Sequence, residues 1–418
     1  MTCYPTMLAL AAAAAAAAAA VVVLAGGAWA DEQTPSPPAP NQAAPPAAPP
    51  AAAPSPPPFP AMAGALTANP GPTTFDLGLL GKKVTVTGAV TGFGQWQDNV
   101  SPGDHDAQLD VSNAQIFINK SDGLIQYFLE VGAYSLPAIG TPYIPASRAT
   151  RDFYGVLPQG FLKIAPTASF SIEAGALPTL AGAEDTFSFE NMNIERGLLW
   201  NQENAVNRGV QVNYAMGPVA FSASLNDGYY SGRYSWLSGS ATWTIDKTNT
   251  LELVATGNTA HTDISTVATL LFQNNQQLYN IIYTHTQGPW TIEPYFQYTH
   301  VPRIPGIGAL QAASTYGGAL LVSYAFAKSK LAGFSVPVRM EFIASTGAVA
   351  NGAPNLLYGA GSKAWSITVT PTYQYRIYFI RAELSYVGTS GATAGSVFGP
   401  TGAATSQTRA LLETGLLF

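Results

Sequence analysis

The stretch Trp365-Ser366-Ile367-Thr368-Val369-Thr370-Pro371-Thr372-Tyr373-Gln374-Tyr375 decides how the chain is read. Trp365, Ile367, Val369, Tyr373 and Tyr375 share one face of an extended backbone, and Ser366, Thr368, Thr370, Thr372 and Gln374 share the other. A strand shows successive side chains to opposite faces, so this segment has one apolar and one polar surface. Beyond Arg376 the pattern resumes. Tyr378, Ile380, Ala382, Leu384 and Tyr386 oppose Arg381, Glu383 and Ser385. Upstream, Val336, Val338, Met340, Phe342 and Ala344 oppose Arg339 and Glu341, and Phe170, Ile172 and Ala174 oppose Ser171 and Glu173.

A water-soluble sandwich would bury the apolar face. Two features favour the inverse arrangement, with the polar face enclosed. Charges sit at strand centres, among them Glu130, Glu173, Glu252, Glu293, Arg339, Glu341, Arg381 and Glu383. Aromatic residues gather at strand ends: Trp96, Trp290, Trp365, Tyr375, Tyr378 and Tyr386. A wet lumen accepts the first and a membrane interface holds the second. The spacing predicts sixteen strands between residues 84 and 418, one of them over 155–165 and one unbroken over 362–375. Short connections such as Gly217–Pro218 and Gln287–Pro289 alternate with long ones such as 134–154, 177–206 and 389–407. That alternation suits short periplasmic turns and longer outer loops. An even strand number closes the sheet and leaves no edge unpaired in lipid. The expected fold is all-β: a transmembrane antiparallel up-and-down barrel of about 16 strands, with 14 or 18 as neighbouring alternatives. Arginine should then be costly at Ile380 or Leu384 and mild at Ser385.

Composition agrees with an outer face that meets lipid. Of 418 residues, 47% are hydrophobic and only 10% charged, against about 25% charged in an average soluble domain. A net charge of −6 speaks against a nucleic-acid binder. Cys3 is the only cysteine and there are four His, so thiol chemistry and multi-His metal sites are not expected. No cofactor and no metal is expected.

The N-terminal part reads differently. Leu8 to Leu24 is an apolar run, followed by Ala28-Trp29-Ala30 before Asp31, so residues 1–30 are expected to be an export signal cleaved after Ala30. Met1 to Met7 lacks the usual Lys or Arg, and an uncleaved anchor is the other reading. From Asp31 to Pro72 there are 15 prolines in 42 residues, so residues 31–83 read as a Pro/Ala-rich disordered periplasmic segment ahead of a barrel over 84–418.

The last strand alternates too. Phe418, Leu416, Thr414, Leu412 and Ala410 point outward, with Glu413 and Arg409 inward. A terminal Phe418 on such a strand resembles the signal read by the outer-membrane assembly machinery.

Between Leu177 and Arg208 runs a long loop, Leu177-Pro178-Thr179-Leu180-Ala181-Gly182-Ala183-Glu184-Asp185 and on through Glu190, Asn193-Ile194-Glu195-Arg196-Gly197, Trp200 and Glu203 to Asn207-Arg208-Gly209-Val210. Its Gly-rich strand end, Glu-bearing centre and Asn/Arg-Gly-Val return resemble the OmpL-like β-barrel porin family, β-barrel porin-2. The resemblance is sharp over these residues and diffuse over Val84 to Phe418. It implies a bacterial outer-membrane porin and says little about substrate. The expected function is passive passage of small hydrophilic solutes or ions, by a monomer or a homotrimer in outer-membrane lipid.

Glu184, Asp185, Glu190, Glu195, Arg196, Glu203 and Arg208 are therefore the candidate pore constriction. A loop folded into the lumen finds water and wall side chains for its backbone groups, and opposed charges there set a field and a width. Arg196 should oppose or pair with an acid, since an unpaired buried ion is costly. The alternative is a loop packed on the outer rim. Candidate lumen-wall charges are Lys163, Arg339, Arg376, Arg381 and Arg409 against Glu130, Glu173, Glu252, Glu293, Glu341, Glu383 and Glu413, an acid excess that suggests slight cation preference; the plainer reading is pairing that stiffens the wall. Tyr229, Tyr230, Tyr234 and Trp236 could stack on sugar rings, but the plainer reading is interfacial anchoring. Two rival classes stand beside the porin: a structural or adhesive barrel with a plugged lumen, and an outer-membrane hydrolase. For the latter, His105, His261 and His300 carry no nucleophile motif.

Overall fold

The computed structural model describes residues 61–326 and 330–418. The expected export signal and the stretch 31–60 lie outside the described residues.

A three-residue strand, β1 (Thr73–Phe75), precedes the barrel. The barrel strands are β2 (Val84–Gln97), β3 (Ala107–Lys120), β4 (Ile125–Tyr134), β5 (Gly160–Thr167), β6 (Phe170–Pro178), β7 (Val206–Met216), β8 (Val219–Asn226), β9 (Trp236–Thr244) and β10 (Asn249–Asn258). They continue with β11 (Gln277–Gln287), β12 (Trp290–Val301), β13 (Ala313–Ala325), β14 (Phe334–Ser345), β15 (Lys363–Val369), β16 (Thr372–Tyr375), β17 (Tyr378–Ser390) and β18 (Ser406–Leu417). Each pairs antiparallel with its sequence neighbour, and β15 and β16 are two parts of one barrel strand between β14 and β17. Closure comes from β18 on β2, in register from Arg409↔Gln97 to Leu417↔Ala89. The result is a closed antiparallel ring of sixteen strands.

Two boundaries differ from the sequence reading, both at prolines. The strand expected as continuous over 362–375 is broken at Thr370 and Pro371. Proline has no N–H for the ladder, although its carbonyl still accepts from Ala382 N at 3.1 Å. The strand expected over 155–165 starts only at Gly160, after Pro158, and a short helix, α1 (Ala146–Asp152), occupies part of the connection before it.

Side-chain direction follows the period of two. Val131, Val212, Leu253, Ile281, Phe296, Phe342, Ile380, Leu384 and Leu412 are exposed on the outside, where lipid would meet them. Trp96, Trp243, Trp365, Tyr375 and Tyr378 are exposed toward strand ends. Of the four aromatic residues read as anchors, Tyr234 is exposed and Tyr230 half-buried, whereas Tyr229 and Trp236 are buried in edge-to-face contact. Their glycine-rich turn places them under the outer loops instead of in the interface.

The lumen face divides into two halves. On β13, β14, β15, β17, β18 and β2 it is buried, including Leu321, Arg339, Glu341, Thr368, Arg381, Glu383, Ser385, Arg409, Glu413 and Thr91. On β7 to β12, toward the short turns, Asn213, Ser222, Ser240, Thr242, Glu252, Thr284 and Glu293 keep part of their surface open. Ser385 does face the lumen, but it is buried and donates to Glu195 Oε2 at 2.8 Å. Arginine at Ser385 would therefore collide with the loop, and the mild position is one on the open half.

This gives a contrast that tests the faces. Leu384→Arg should cost about 2–4 kcal/mol as it approaches the bilayer midplane. Ser240→Arg, on the lumen side of the open half, should cost less than about 1 kcal/mol. Urea unfolding from lipid bilayers measures both, and equal losses would reject the face assignment.

Candidate functional site

The loop 179–205 leaves β6 at Pro178 and returns at Val206. It crosses the lumen. Counted from β2, with β15 and β16 as one strand, β6 is fifth in the ring and β14 thirteenth, half a turn away. Loop residues nevertheless reach Arg339 and Glu341 on β14, and Arg381, Glu383, Arg409 and Glu413 on β17 and β18.

The wall charges do two jobs there. Some form ion pairs: Arg339 with Glu184 of the loop and with Glu341 at 3.2 Å, Arg381 with Glu413, Arg409 with Glu195, and Lys163 with Glu173 at 3.0 Å. The same groups satisfy the loop's backbone. Glu383 accepts from Ile194 N at 2.6 Å and Glu195 N at 3.1 Å, and Glu341 accepts from Leu199 N at 3.3 Å. Arg381 donates to the carbonyls of Ser188 and Asn191, and Arg339 to that of Glu195. A peptide segment away from any sheet would otherwise leave these groups orphaned.

Glycine permits the closest approach. A Cβ on Gly197 would lie 2.1 Å from Glu341 Oε1 and 2.8 Å from Glu184 Oε2. Gly197 N donates to Glu184 Oε2 at 2.7 Å, so the loop passes between two carboxylates that only a bare backbone can separate.

The seven loop positions divide by environment. Glu184, Glu190, Glu195, Arg196 and Glu203 are buried. Glu190 accepts from Phe187 N, and Glu203 from Tyr295 OH at 3.4 Å. Burial raises the carboxyls of Glu184, Glu190 and Glu203 above the ordinary range. Asp185 keeps part of its surface open, and burial followed by the neighbouring Glu184 pushes it up to about 7. Arg208 stands apart, at the outer end of β7. It pairs with Asp227 at 2.7 Å and lies over the Tyr230 ring, 3.9 Å from its centre. Arg376, read as a lumen charge, sits in the exposed turn between β16 and β17 with φ 56° and lies over Tyr375.

Arg196 departs from expectation. Its guanidinium is 0% exposed and none of its three nitrogens has a hydrogen-bond partner among the described residues. It lies over the Trp200 ring at 4.8 Å, and burial lowers its pKa to about 10 against the pull of Glu184, Glu413, Glu190 and Glu195. The acids surround it without touching it. The backbone of Arg196 is bonded instead to the loop after β4: Arg196 N donates to Pro137 O at 3.1 Å and Ile139 N to Arg196 O at 2.9 Å.

The family model described as "Putative beta-barrel porin-2, OmpL-like" matches residues 83–418. The chain belongs to that family. It is an outer-membrane β-barrel of the porin type. Among solved structures, the anion-selective porin from Comamonas acidovorans matches at 11% identity and TM-score 0.58, over 80% of this chain and 99% of that one. A loop L8 deletion mutant of OmpT from Vibrio cholerae matches at 12% identity and TM-score 0.52, over 80% of this chain and 99% of that one. The trimer form of in-vitro folded OmpT matches at 9% identity and TM-score 0.50, over 80% of this chain and 98% of that one. At these identities the likeness is one of fold. No curated protein matches the chain.

Beyond what the porin-family resemblance suggested, the structure adds the loop 135–145 to the lumen-crossing layer. Arg409 donates to Ala138 O at 3.0 Å and to Thr141 O, tying this second loop to β18. The stretch carries no charge, so nothing in its residue types marked it; its length between two strands was the available signal.

Glu383 offers a direct test of the loop seat. Glu383→Leu removes the acceptor of two loop N–H groups, each hydrogen bond to a charged acceptor contributing about 1.5–3 kcal/mol. Hydrogen exchange at Ile194 and Glu195 should accelerate at least tenfold, with Glu383→Gln close to the parent. Unchanged protection in Glu383→Leu would detach the loop's position from this carboxylate.

Proposed function

We propose that the barrel is a narrow diffusion channel for small hydrophilic solutes or ions, with a slight preference for cations. The observation that carries this is the division of the lumen. Loop 179–205 fills the half from β13 round to β2 and also packs Ala181, Met192 and Leu199 on Val254, Leu278, Ile282 and Tyr295, while toward the short turns the β7 to β12 wall keeps small polar side chains and the carboxylates Glu252 and Glu293 partly open. Gly182 N donates to Asn280 Oδ1 on β11 at 3.1 Å, which sets the 180–185 edge of the loop beside this half. Asp185 is the loop carboxylate that keeps surface there. The constriction is accordingly assigned to Asp185 against the open wall. Glu184, Glu190, Glu195, Arg196 and Glu203 brace the loop from behind.

The proposed route to the membrane is export by the 1–30 signal and insertion by the assembly machinery through the terminal strand. Phe418 is bonded to β2 in both directions, its N to Gly88 O at 3.0 Å and its O from Gly88 N at 2.9 Å. Removal of Phe418 should lower the yield of heat-modifiable inserted barrel more than any replacement in the 391–405 loop. Equal yields would count against the signal.

A second reading, a barrel whose lumen is plugged, is favoured by the burial of the lumen face from β13 round to β2. Single-channel recording in planar bilayers separates the two. A porin gives discrete ohmic steps, and replacing residues 186–199 by a short linker should raise their size several-fold; the wall arginines and acids then hydrate, with Arg381–Glu413 still paired. A full chain that is silent, whether or not the shortened form conducts, would establish the plugged reading.

Selectivity should also respond to pH. A carboxyl near pKa 7 is charged above that pH and neutral below it, so cation preference should fall as pH drops from about 8 to 6. Asp185→Asn should remove this step. Reversal potentials in a salt gradient at low ionic strength, where screening is weakest, provide the measurement. A step that survives in Asp185→Asn would assign selectivity to other groups.

A further inference from the structure

The segment ahead of the barrel was expected to be disordered up to residue 83, but its described part has a seat inside the barrel mouth. Leu66 is 1% exposed and belongs to an apolar cluster with Ala89 of β2, Phe117 of β3, Phe379 of β17, Leu417 of β18 and Phe189 of the inward loop. Thr67 is held through its peptide. Thr67 N donates to Gln374 Oε1 at 2.8 Å and Gln374 Nε2 donates to Thr67 O at 2.9 Å, so one side-chain amide matches the backbone as a strand would. Gly64 lies against the loop, since a Cβ there would fall 2.2 Å from the carbonyl oxygen of Asn191. That carbonyl is the one Arg381 holds.

All these wall contacts lie near the end of the barrel with the short turns, and the chain then runs outward to β1, which pairs with Thr85 and Val86 of β2. Met62 packs on the same cluster, and Leu77, Leu79 and Leu80 beyond β1 are exposed, so the seat ends with residue 67.

We infer that residues 61–67 form a displaceable wedge in the periplasmic mouth. The wedge covers the side of the mouth made by β16, β17, β18, β2 and β3 and confines the water path to the β7 to β12 half. Its attachment is slight by comparison with the loop above it: Leu66, the partly buried Met62, one amide clamp and one glycine contact, with no ion pair among the described residues. Segments held this way open first, ahead of the sheet. The wedge therefore opens without unfolding the barrel, and an open mouth conducts more than a closed one.

This inference rests on the diffusion-channel reading above, and the tests keep the two apart. In planar bilayers the full chain is compared with Gly64→Val/Gln374→Ala, with deletion of residues 61–70, and with the loop-shortened barrel. Both wedge variants should raise the mean single-channel current at least about twofold. A current unchanged by them, while the loop-shortened barrel conducts more, overturns the wedge and leaves the channel standing. Silence from every variant overturns the channel, and the wedge with it. A second readout needs no conductance. In a Cys3→Ser background, Leu66→Cys should react with a membrane-impermeant maleimide at least tenfold more slowly than Leu79→Cys, and Gln374→Ala should remove the difference. Equal rates in the parent seat would show that residues 61–67 do not occupy the mouth.

Discussion

The lumen-crossing backbone between Glu184 and Leu199 is the constraint on which the interior depends. Outside any sheet, each of its peptide groups needs a partner from water or from the wall. Glu383 and Glu341 supply acceptors for its N–H groups, and Arg381 and Arg339 supply donors for its carbonyls. The charged strand centres thus serve as a matrix that solvates a peptide. Once the wall must perform that task, charges have to sit on the side of the ring opposite β6, and they do.

The same requirement explains why ion pairing and loop anchoring share residues. Arg339 bridges Glu341 of its own strand and Glu184 of the loop; Arg381 joins Glu413 while donating to two loop carbonyls. A charge left in that crowded half without a partner is costly, so the bases are nearly all engaged there. Arg196 is the exception, resting on Trp200 within a ring of acids at longer range. In that half Glu383 takes loop N–H groups in place of a base, whereas Asp185, Glu252 and Glu293 on the other side keep part of their surface open, which gives the two sides of the lumen different electrical character.

Much of the fold was legible in the sequence because a strand's period is two and a membrane barrel writes both faces into it. The closed ring of sixteen strands and the outer-membrane location follow from Trp365 to Tyr386 and its repeats, and the membership of the family from Leu177 to Arg208. The exceptions were local and covalent: Pro371 and Pro158 each withhold an N–H that periodicity does not register. The interior was less legible. Alternation says that Arg381 and Ser385 face inward, but not that a loop lies against them, so Ser385 read as solvated when it is packed on Glu195. Arg208 and Arg196 lay in one charged loop by sequence, yet Arg208 finds Asp227 one strand away and Arg196 finds none. Partner identity is set across the lumen, by separations of well over a hundred residues, where no local pattern reaches. The seat of Leu66 was hidden for a related reason: proline-rich surroundings mask a short apolar peptide whose complement lies in β2, β3, β17 and β18.

The long reach of those contacts also orders events in time. Ser188 is bonded to Glu413, 225 residues further along the chain, and Glu195 to Arg409, 214 residues on. The loop is made early and its anchors last. Until β17 and β18 arrive and β18 closes on β2, residues 184–199 can rest on β12 and β14 but lack their anchors at Arg381, Glu383, Arg409 and Glu413. Loop closures of this length are slow. The narrow lumen is therefore complete only in the closed sheet, because closure of β18 on β2 fixes the last anchors of the loop.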